Sequence, residues 1–226
     1  MKELRVTMFS GVKFTKPKEQ TTLEKVLMDI KSDRWKERID RCRTDLKYKD
    51  WLPCFTPTGS FTHRSIKGLE EYNGIICLDV DHVKDPENLK AAASKLTWVH
   101  AAFITPSGEG LKVMVRTDSI SESYTATEEK VASMFRDETN FSRDNHCKDI
   151  ARIQFISYDP NLYYNPDSDI IRRVDTYSLM CDYYKKSFTS LESLLDDVIV
   201  SGMDPNYEIF INGAPSGENV INYINA

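Results

Sequence analysis

The chain alternates short apolar runs with amphipathic and strongly charged stretches. The run GIICLDVDH, residues 74–82, is apolar through Leu78 and then places Asp79 and Asp81 two residues apart. A short apolar run that follows a glycine is typical of a buried strand. Successive side chains of a strand point to opposite faces, so both carboxylates are expected on the same face. The pattern therefore predicts a buried strand that ends in two neighbouring acids.

The same periodicities predict elements on both sides of this strand. Strands are expected at residues 4–9, 52–56, 99–105, 111–117 and 149–159, with a hairpin between the third and the fourth. Helices are expected after the threonines at 21–22, after Asp85-Pro86, across 121–140, and from Thr189 towards Gly202. Strands and helices are mixed, which indicates an α+β or mixed α/β fold. We expect one domain over residues 1–176, followed by a helical accessory segment or linker over 177–226.

Composition restricts the function classes. The chain has 226 residues, 40% of them hydrophobic and 29% charged, as is ordinary for a soluble globular protein. Five separated cysteines without a CxxC pair argue against a zinc site or a disulfide framework and favour a reducing cytoplasm. No apolar stretch is long enough to span a membrane, and the start is not a signal peptide. A net charge of -5 means that a nucleic acid would need a local basic patch.

Two stretches carry candidate chemistry. Asp79 and Asp81 would repel each other, and a Mg²⁺ or Mn²⁺ ion is the usual compensation; a strand that simply ends in two solvated acids is the alternative. The turn Ser107-Gly108-Glu109-Gly110, with Lys112 just inside the next strand, has the composition of a phosphate-binding turn. An ordinary hairpin turn is the alternative there.

Two further charged features leave alternatives open. Asp149 and Arg152 stand three residues apart around the start of a strand, where an acid and a base are usually a surface ion pair. By this interpretation the Asp79/Asp81 pair, the glycine turn with Lys112, and the Asp149/Arg152 pair lie on neighbouring strands. Residues 31–49 are crowded with charge, either as a solvated helix face with i,i+4 pairs or as a surface that follows phosphates.

The order of these motifs resembles the archaeo-eukaryotic primase superfamily, the primase-polymerases, and is closest to the VirE N-terminal domain family of Bacteroides-type proteins. The matching stretches are FTPTGSF at 55–61, Gly74 with LDVDHV at 78–83, TPSGEGLKVMVRT at 105–117, and KDIARIQFISYDPNLYYNP at 148–166. The resemblance covers residues 5–166. One departure is that the second motif of many primase-polymerases carries a histidine, whereas residues 107–112 contain none.

The resemblance implies a catalytic core with an RRM-like sheet and helices on one side, plus an N-terminal α/β unit. It also implies a metal-dependent nucleotidyltransferase, a DNA primase or polymerase, that replicates a mobile element or a plasmid-like system. Mg²⁺ or Mn²⁺ would be the cofactor. DNA and nucleoside triphosphates, with a helicase or ATPase, would be the partners.

The resemblance assigns roles residue by residue. Asp79, Asp81 and Asp149 would be the catalytic metal ligands. The nucleotide-binding set would be Ser107, Gly108, Gly110, Lys112 and Arg152, and weaker candidates for triphosphate or template are Arg64 and Arg116. Two alternatives stay open: a catalytically weak nucleic-acid-binding replication module of the same fold, and a DxD glycosyltransferase, which predicts no role for Asp149.

Overall fold

The computed structural model describes residues 3–144 and 149–174, together with the backbone of two strands between 208 and 219. The chain divides into two compact units, Met1–Arg172 and Arg173–Ala226. Every candidate site residue lies in the first unit. The helix expected between Thr189 and Gly202 lies outside the described residues.

The first half of the first unit contains two helices and five short strands. These are β1 Arg5–Phe9, β2 Glu19–Thr22, α1 Leu23–Lys31, α2 Lys36–Thr44, β3 Cys54–Thr56, β4 Gly59–Phe61 and β5 Leu69–Tyr72. Short 3-10 helices lie at Asp33–Trp35, Leu46–Trp51 and Ile66–Gly68. The predicted start of α1 is confirmed, because the Thr22 hydroxyl accepts a hydrogen bond from the Lys25 backbone N–H at 3.3 Å.

The second half contains the elements of the candidate site. These are β6 Ile75–Val80, α3 Pro86–Ala93, β7 Val99–Ile104, β8 Leu111–Arg116, α4 Tyr124–Thr139, β9 Gln154–Phe155 and β10 Tyr163–Tyr164. A 3-10 helix at Ser121–Ser123 precedes α4. The capping prediction for α3 is confirmed, since Asp85 Oδ1 accepts from the Asn88 N–H at 3.0 Å and Pro86 opens the helix.

Two four-stranded sheets organise the unit. Their strand orders are β2-β1-β3-β9 and β10-β7-β8-β6, and the pairs between their strands are antiparallel. The predicted hairpin of β7 and β8 is confirmed, and strands β4 and β5 form a separate pair. With helices and antiparallel sheets in one unit, the mixed α+β class is confirmed.

The second sheet is buried on both faces. One face contributes Ile75, Cys77 and Met114 to a core shared with α1, α2 and the first sheet. The other face contributes Ile76, Leu78 and Val113, among others, to a second core with α3 and α4. This explains why β6 has a continuously apolar sequence, and it places Asp79 on the face shared with Ile75 and Cys77.

Three expectations differ from the structure. The strand expected over 149–159 is reduced to β9, which pairs with β3 in the first sheet and is therefore not a neighbour of β6 or β8. The segment begins as a turn, in which the Arg152 N–H donates to Asp149 O. The Ile156 N–H still continues the pairing with Pro53 O, and beyond it the Asp159 N–H donates to Ile30 O instead of to the sheet. The sequence also predicts a turn at 57–60, from its Pro-Thr-Gly-Ser composition, and a loop at 159–170, from its two prolines; in the structure the turn runs into β4 and the loop contains β10.

The described part of the second unit is a strand pair. Its strands, β11 Glu208–Ile211 and β12 Ala214–Asn219, are antiparallel and joined across residues 212–213. The sequence showed no period in this stretch, so the pair was not expected. Among the described helices of the chain, none has both the length and the apolar character needed to cross a membrane.

Candidate functional site

The candidate site is built around an ion pair between neighbouring strands. The register of β6 and β8 sets Asp79 directly opposite Lys112, and the Lys112 ammonium forms a salt bridge with Asp79 Oδ2. The two side chains are only 12% and 7% exposed, respectively. Paired antiparallel strands hold opposite side chains within contact distance, so the backbone itself brings the first and second predicted motifs together.

Asp81 adjoins this pair at the protein surface. It is the first residue after β6 and is exposed, whereas Asp79 is buried. Partial burial raises the pKa of the Asp81 carboxyl, and the negative charge of Asp79 raises it further. Lys112 acts in the opposite direction. The two carboxylates are therefore close enough to repel each other, as the strand period predicts.

Asp144 is a third acid at this position and was missed by sequence reasoning. Its backbone N–H donates to Asp79 O at 2.8 Å, and its charge contributes to the raised pKa of Asp81. The preceding residue, Arg143, is anchored by a buried ion pair with Glu128 of α4, with Nη2 to Oε2 at 2.8 Å. This anchor holds the segment across the end of β6.

A usable signal for this anchor exists in the sequence. Glu128 stands at helical spacing from Val131 and Phe135, on the buried face of α4. An acid on the apolar face of a helix needs a buried cation, because an unpaired charge is costly away from water. That requirement points to a nearby Arg or Lys and would have led to the 143–144 segment.

The glycine turn between β7 and β8 packs against the end of β6. The Val83 N–H donates to Glu109 O at 2.9 Å. A Cβ at Gly110 would lie 2.6 Å from Val80 O and 3.2 Å from Asp81 Oδ1, so only glycine fits this close approach. Gly108 has a φ of +82°, a left-handed conformation that glycine adopts without strain.

The turn also has internal hydrogen bonds. The Ser107 hydroxyl lies 3.1 Å from Thr105 Oγ1, and it accepts from the Glu109 N–H at 3.4 Å. The Gly108 N–H donates to Thr105 O at 3.0 Å. Ser107 therefore shapes a turn that lies directly beside the acids. Its contact with a nucleotide stays a prediction.

Two cations from the charged run 31–49 border this turn and the acids. Arg43 of α2 approaches the turn, with its Nε 3.7 Å from the position that a Cβ on Gly108 would take. The positive charge of Lys49 lowers the pKa of Asp81. Neither residue was among the predicted site residues. The site thus has acids at its centre and cations from two different parts of the chain around it.

Asp149 and Arg152 are joined to each other by the backbone. The Arg152 N–H donates to Asp149 O at 3.0 Å, and the Asp149 residue is exposed. Burial raises the pKa of Tyr124, and the charge of Asp149 is one of several that add to this effect. The charge of Asp149 therefore acts on Tyr124 at the start of α4. The metal-ligand role of Asp149 and the phosphate-binding role of Arg152 stay predictions.

Arg64 and Arg116 bind backbone carbonyls in other places. Arg64 Nη1 donates to Val12 O at 2.6 Å, and Arg116 Nη1 donates to Pro166 O at 2.9 Å. Arg116 pairs with Ile75 at the opposite end of β6 from Asp79. Arg116 lies four positions along β8 from Lys112, which places their Cα atoms about 13 Å apart. These guanidinium groups have structural partners, and their proposed contacts with triphosphate or template stay predictions.

The donor chemistry of the site suits a hard divalent cation, because carboxylate oxygens are the ligands that Mg²⁺ and Mn²⁺ prefer. Asp79, Asp81 and Asp144 supply such oxygens in a region where their negative charges already repel. Within residues 3–144 and 149–174, no three or more His, Cys, Asp or Glu side chains are arranged to hold a metal ion. The site therefore fits a divalent cation in the type and charge of its ligands, and not through a preformed cluster among the described residues.

A known protein family matches the part of the chain that contains the site. The family model described as BT4734-like, N-terminal domain, matches residues 47–164. The chain belongs to this family. The BT4734-like match contains Asp79, Asp81, the glycine turn, Lys112 and Lys49, and it begins after α2. No curated protein and no solved structure matches the chain.

Proposed function

We propose that this BT4734-like domain is a metal-dependent nucleotidyltransferase of the primase-polymerase type, related to the VirE N-terminal domain family. The observation that carries the proposal is the strand register that joins Asp79 and Lys112 beside Asp81 and the glycine turn. A carboxylate pair next to a cation and a close-packed turn is the combination that phosphoryl transfer needs. The order of the motifs along the chain supports the same assignment.

In this proposal Asp79 and Asp81 hold Mg²⁺ or Mn²⁺, with Asp144 and Asp149 as candidates for the third carboxylate. A bound divalent ion would neutralise phosphate charge and stabilise the leaving pyrophosphate.

The cations of the site would bind the triphosphate. Lys112 forms its salt bridge with Asp79, so its ammonium is already oriented towards the acids and can pair with a phosphate oxygen that enters beside them. Arg43 lies beside Gly108 of the turn, and the charge of Lys49 acts on Asp81. Arg152 is the further candidate by resemblance. DNA and nucleoside triphosphates are the proposed substrates, in the replication of a mobile element or plasmid-like system with a helicase or ATPase partner.

A primer-extension and de novo priming assay tests the proposal. Wild-type protein is compared with Asp79→Asn and Asp149→Asn, with Mg²⁺ or Mn²⁺ and with either ribo- or deoxyribonucleotides. Asp137→Asn is the matched control, because Asp137 is exposed on α4, which packs against the opposite face of the sheet. We expect incorporation by wild type and the control, and loss in Asp79→Asn. Equal incorporation by wild type and Asp79→Asn would contradict the proposal.

A second candidate function is a catalytically weak nucleic-acid-binding module of the same fold. It is favoured by the salt bridge itself, because Lys112 neutralises one of the carboxylates that a metal would need. The same assay separates the two candidates when DNA binding is measured in parallel. DNA binding without incorporation by wild type, unchanged in Asp79→Asn, is the result expected of the module.

A further inference from the structure

A line of cations packed on aromatic rings follows α2 and the 3-10 helix before it, in two groups of contacts. We name it the α2 strip and define it by six residues: Arg34, Trp35, Lys36, Arg38, Arg43 and Tyr158. At one end, the guanidinium carbons of Arg34 and Arg38 lie 5.0 Å and 5.8 Å from the centroid of the Trp35 ring. Such contacts orient the ring and the cations together.

The other end of the α2 strip reaches the candidate site. Lys36 Nζ lies 5.8 Å from the centroid of the Tyr158 ring, and Arg43 Nη2 donates to Tyr158 O at 3.0 Å. Arg43 also faces Gly108 of the glycine turn. The contacts therefore form two groups, one around Trp35 and one that runs from Lys36 through Tyr158 and Arg43 to the turn beside Asp81, and the chain itself joins them at Trp35–Lys36.

The cations of the strip are accessible to a ligand. Arg34, Lys36, Arg38 and Arg43 are exposed, while Trp35 and Tyr158 are partly buried. Residues 31–49 contain eight Lys or Arg and four Asp or Glu, in a chain whose net charge is -5. Acids adjoin the strip, since Asp29 pairs with Arg34 at 2.8 Å and the charges of Asp33 and Asp40 act on Tyr158. The local excess is nevertheless positive, opposite to the chain as a whole.

We infer that the α2 strip binds single-stranded nucleic acid and leads it to the Asp79–Lys112 site, an inference that rests on the proposed function. Cations that follow phosphates, combined with aromatic faces on which bases stack, are the features of single-strand binding surfaces. Trp35 and Tyr158 pack partly against the first core, and a duplex, which keeps its bases stacked on each other, cannot use the part of each ring that remains exposed. The nine residues of α2 span about 13 Å, enough for a few extended nucleotides.

Charge reversal with a matched control tests the inference. Lys36→Glu/Arg38→Glu is compared with Lys95→Glu/Arg136→Glu, which makes the same change at exposed residues after α3 and on α4, against the opposite face of the sheet. Binding of a fluorescein-labelled single-stranded oligonucleotide is measured by anisotropy in EDTA, over a range of salt concentrations. We expect the strip variant to bind about tenfold more weakly and with a reduced salt dependence, since phosphate contacts are lost. The control should bind within about twofold of wild type.

Further measurements keep the test decisive. Thermal unfolding checks that each variant is folded, and Lys36→Gln replaces the double variant if that one is unfolded, with an expected loss of about threefold. The intrinsic fluorescence of wild type should be quenched by the oligonucleotide, and this quenching should decrease in Trp35→Phe. Equal binding by strip and control variants, or equal affinity for single-stranded and duplex DNA, would overturn the inference.

The outcomes also separate this inference from the proposed function. Because binding is measured in EDTA, it does not depend on metal or incorporation. Weakened binding by the strip variant together with no incorporation by wild type would support the strip and contradict the nucleotidyltransferase. Incorporation by wild type together with unchanged binding by the strip variant would contradict the strip alone.

Discussion

The first unit contains two buried Lys–Asp pairs that differ in their surroundings. Lys90 of α3 donates to both oxygens of Asp159, at 2.8 Å and 2.7 Å, and these side chains are 6% and 2% exposed. Asp159 also accepts from the backbone N–H groups of Ile104 and Asn161, at 2.9 Å and 3.0 Å. Asp79 and Lys112 are nearly as buried, but a second acid, Asp81, lies beside them, and the charges of Asp79 and Asp144 raise its pKa.

Under the proposed function, the difference is one between a structural pair and a pair that takes part in the reaction. The donors around Asp159 come from α3, from the end of β7 and from its own loop, so this carboxylate joins three parts of the unit. A buried charge with this many hydrogen bonds is well compensated. Beside Asp79, by contrast, Asp81 has a raised pKa, and neighbouring groups with perturbed pKa values are typical of functional sites. Burial and ion pairing alone would not have distinguished the two pairs.

The largest expected effect is on activity at Asp79. Asp79→Asn keeps the shape of the side chain and removes the charge, so we expect nucleotide incorporation to fall by at least about a thousandfold, roughly 4 kcal/mol of transition-state stabilisation. The free energy of unfolding should fall by only about 1 kcal/mol, because Lys112 still has the charge of Asp81 nearby. Primer extension and urea unfolding measure the two effects. A variant that is strongly destabilised yet active once folded would make Asp79 a structural residue.

The next effect is the reverse, at Asp159. Asp159→Asn places an amide group where three donor groups make four hydrogen bonds, and among the described residues it leaves Lys90 with the exposed Glu87 as its acidic partner, at 3.0 Å. We expect the free energy of unfolding to fall by about 3 kcal/mol. Incorporation by the folded protein, measured at low temperature, should stay within about threefold of wild type. Equal effects of this substitution on stability and on activity would remove the distinction between the two pairs.

A smaller effect is expected in the glycine turn. Gly110→Ala places a methyl group 2.6 Å from Val80 O, so the turn must move away from β6; we expect a loss of about 2 kcal/mol and a marked loss of activity. Gly108→Ala is the comparison, because its neighbours leave room and only the positive φ is unfavourable, at about 1 kcal/mol. Urea unfolding of both variants checks the order. A larger loss in Gly108→Ala would show that backbone conformation matters more than the contact with β6.

The parts predicted correctly from the sequence depend on local patterns. The strand around Ile75–Val80, the hairpin of β7 and β8 and the caps of α1 and α3 follow from periodicity and from capping residues. The motif order predicts that Asp79 and Lys112 lie on neighbouring strands, whereas their direct contact also needs the pairing of β6 with β8, which local patterns do not give. Each of these depends on residues close together in the sequence or on one strand pair.

The parts that were missed depend on contacts between distant segments. The strand after Asp149 pairs with β3 and is followed by a bond from Asp159 to Ile30 of α1, and no local pattern reveals either partner. Arg43 and Lys49 reach the site because α2 and the following 3-10 helix pack beside it, although their sequence is typical of any solvated helix face. Asp144 depends on the Arg143–Glu128 pair, whose partners lie on either side of the end of α4.

The smallest expected effect concerns the pH dependence of stability at Asp81, whose pKa is raised first by burial and then by repulsion from Asp79. Its pKa in the folded protein is raised above the ordinary value of 3.8, so its contribution to stability is complete below that value and is lost as the pH rises through the raised pKa. Asp81→Asn removes this loss and should therefore gain stability relative to wild type as the pH rises, by less than about 1 kcal/mol because Asp81 is exposed. Urea unfolding from about pH 3.5 to 7 measures the difference, with Asp137→Asn as the control that should show none. If Asp81→Asn instead loses stability relative to wild type over this range, attraction to Lys112 outweighs the repulsion from Asp79, and the acids no longer need a cation.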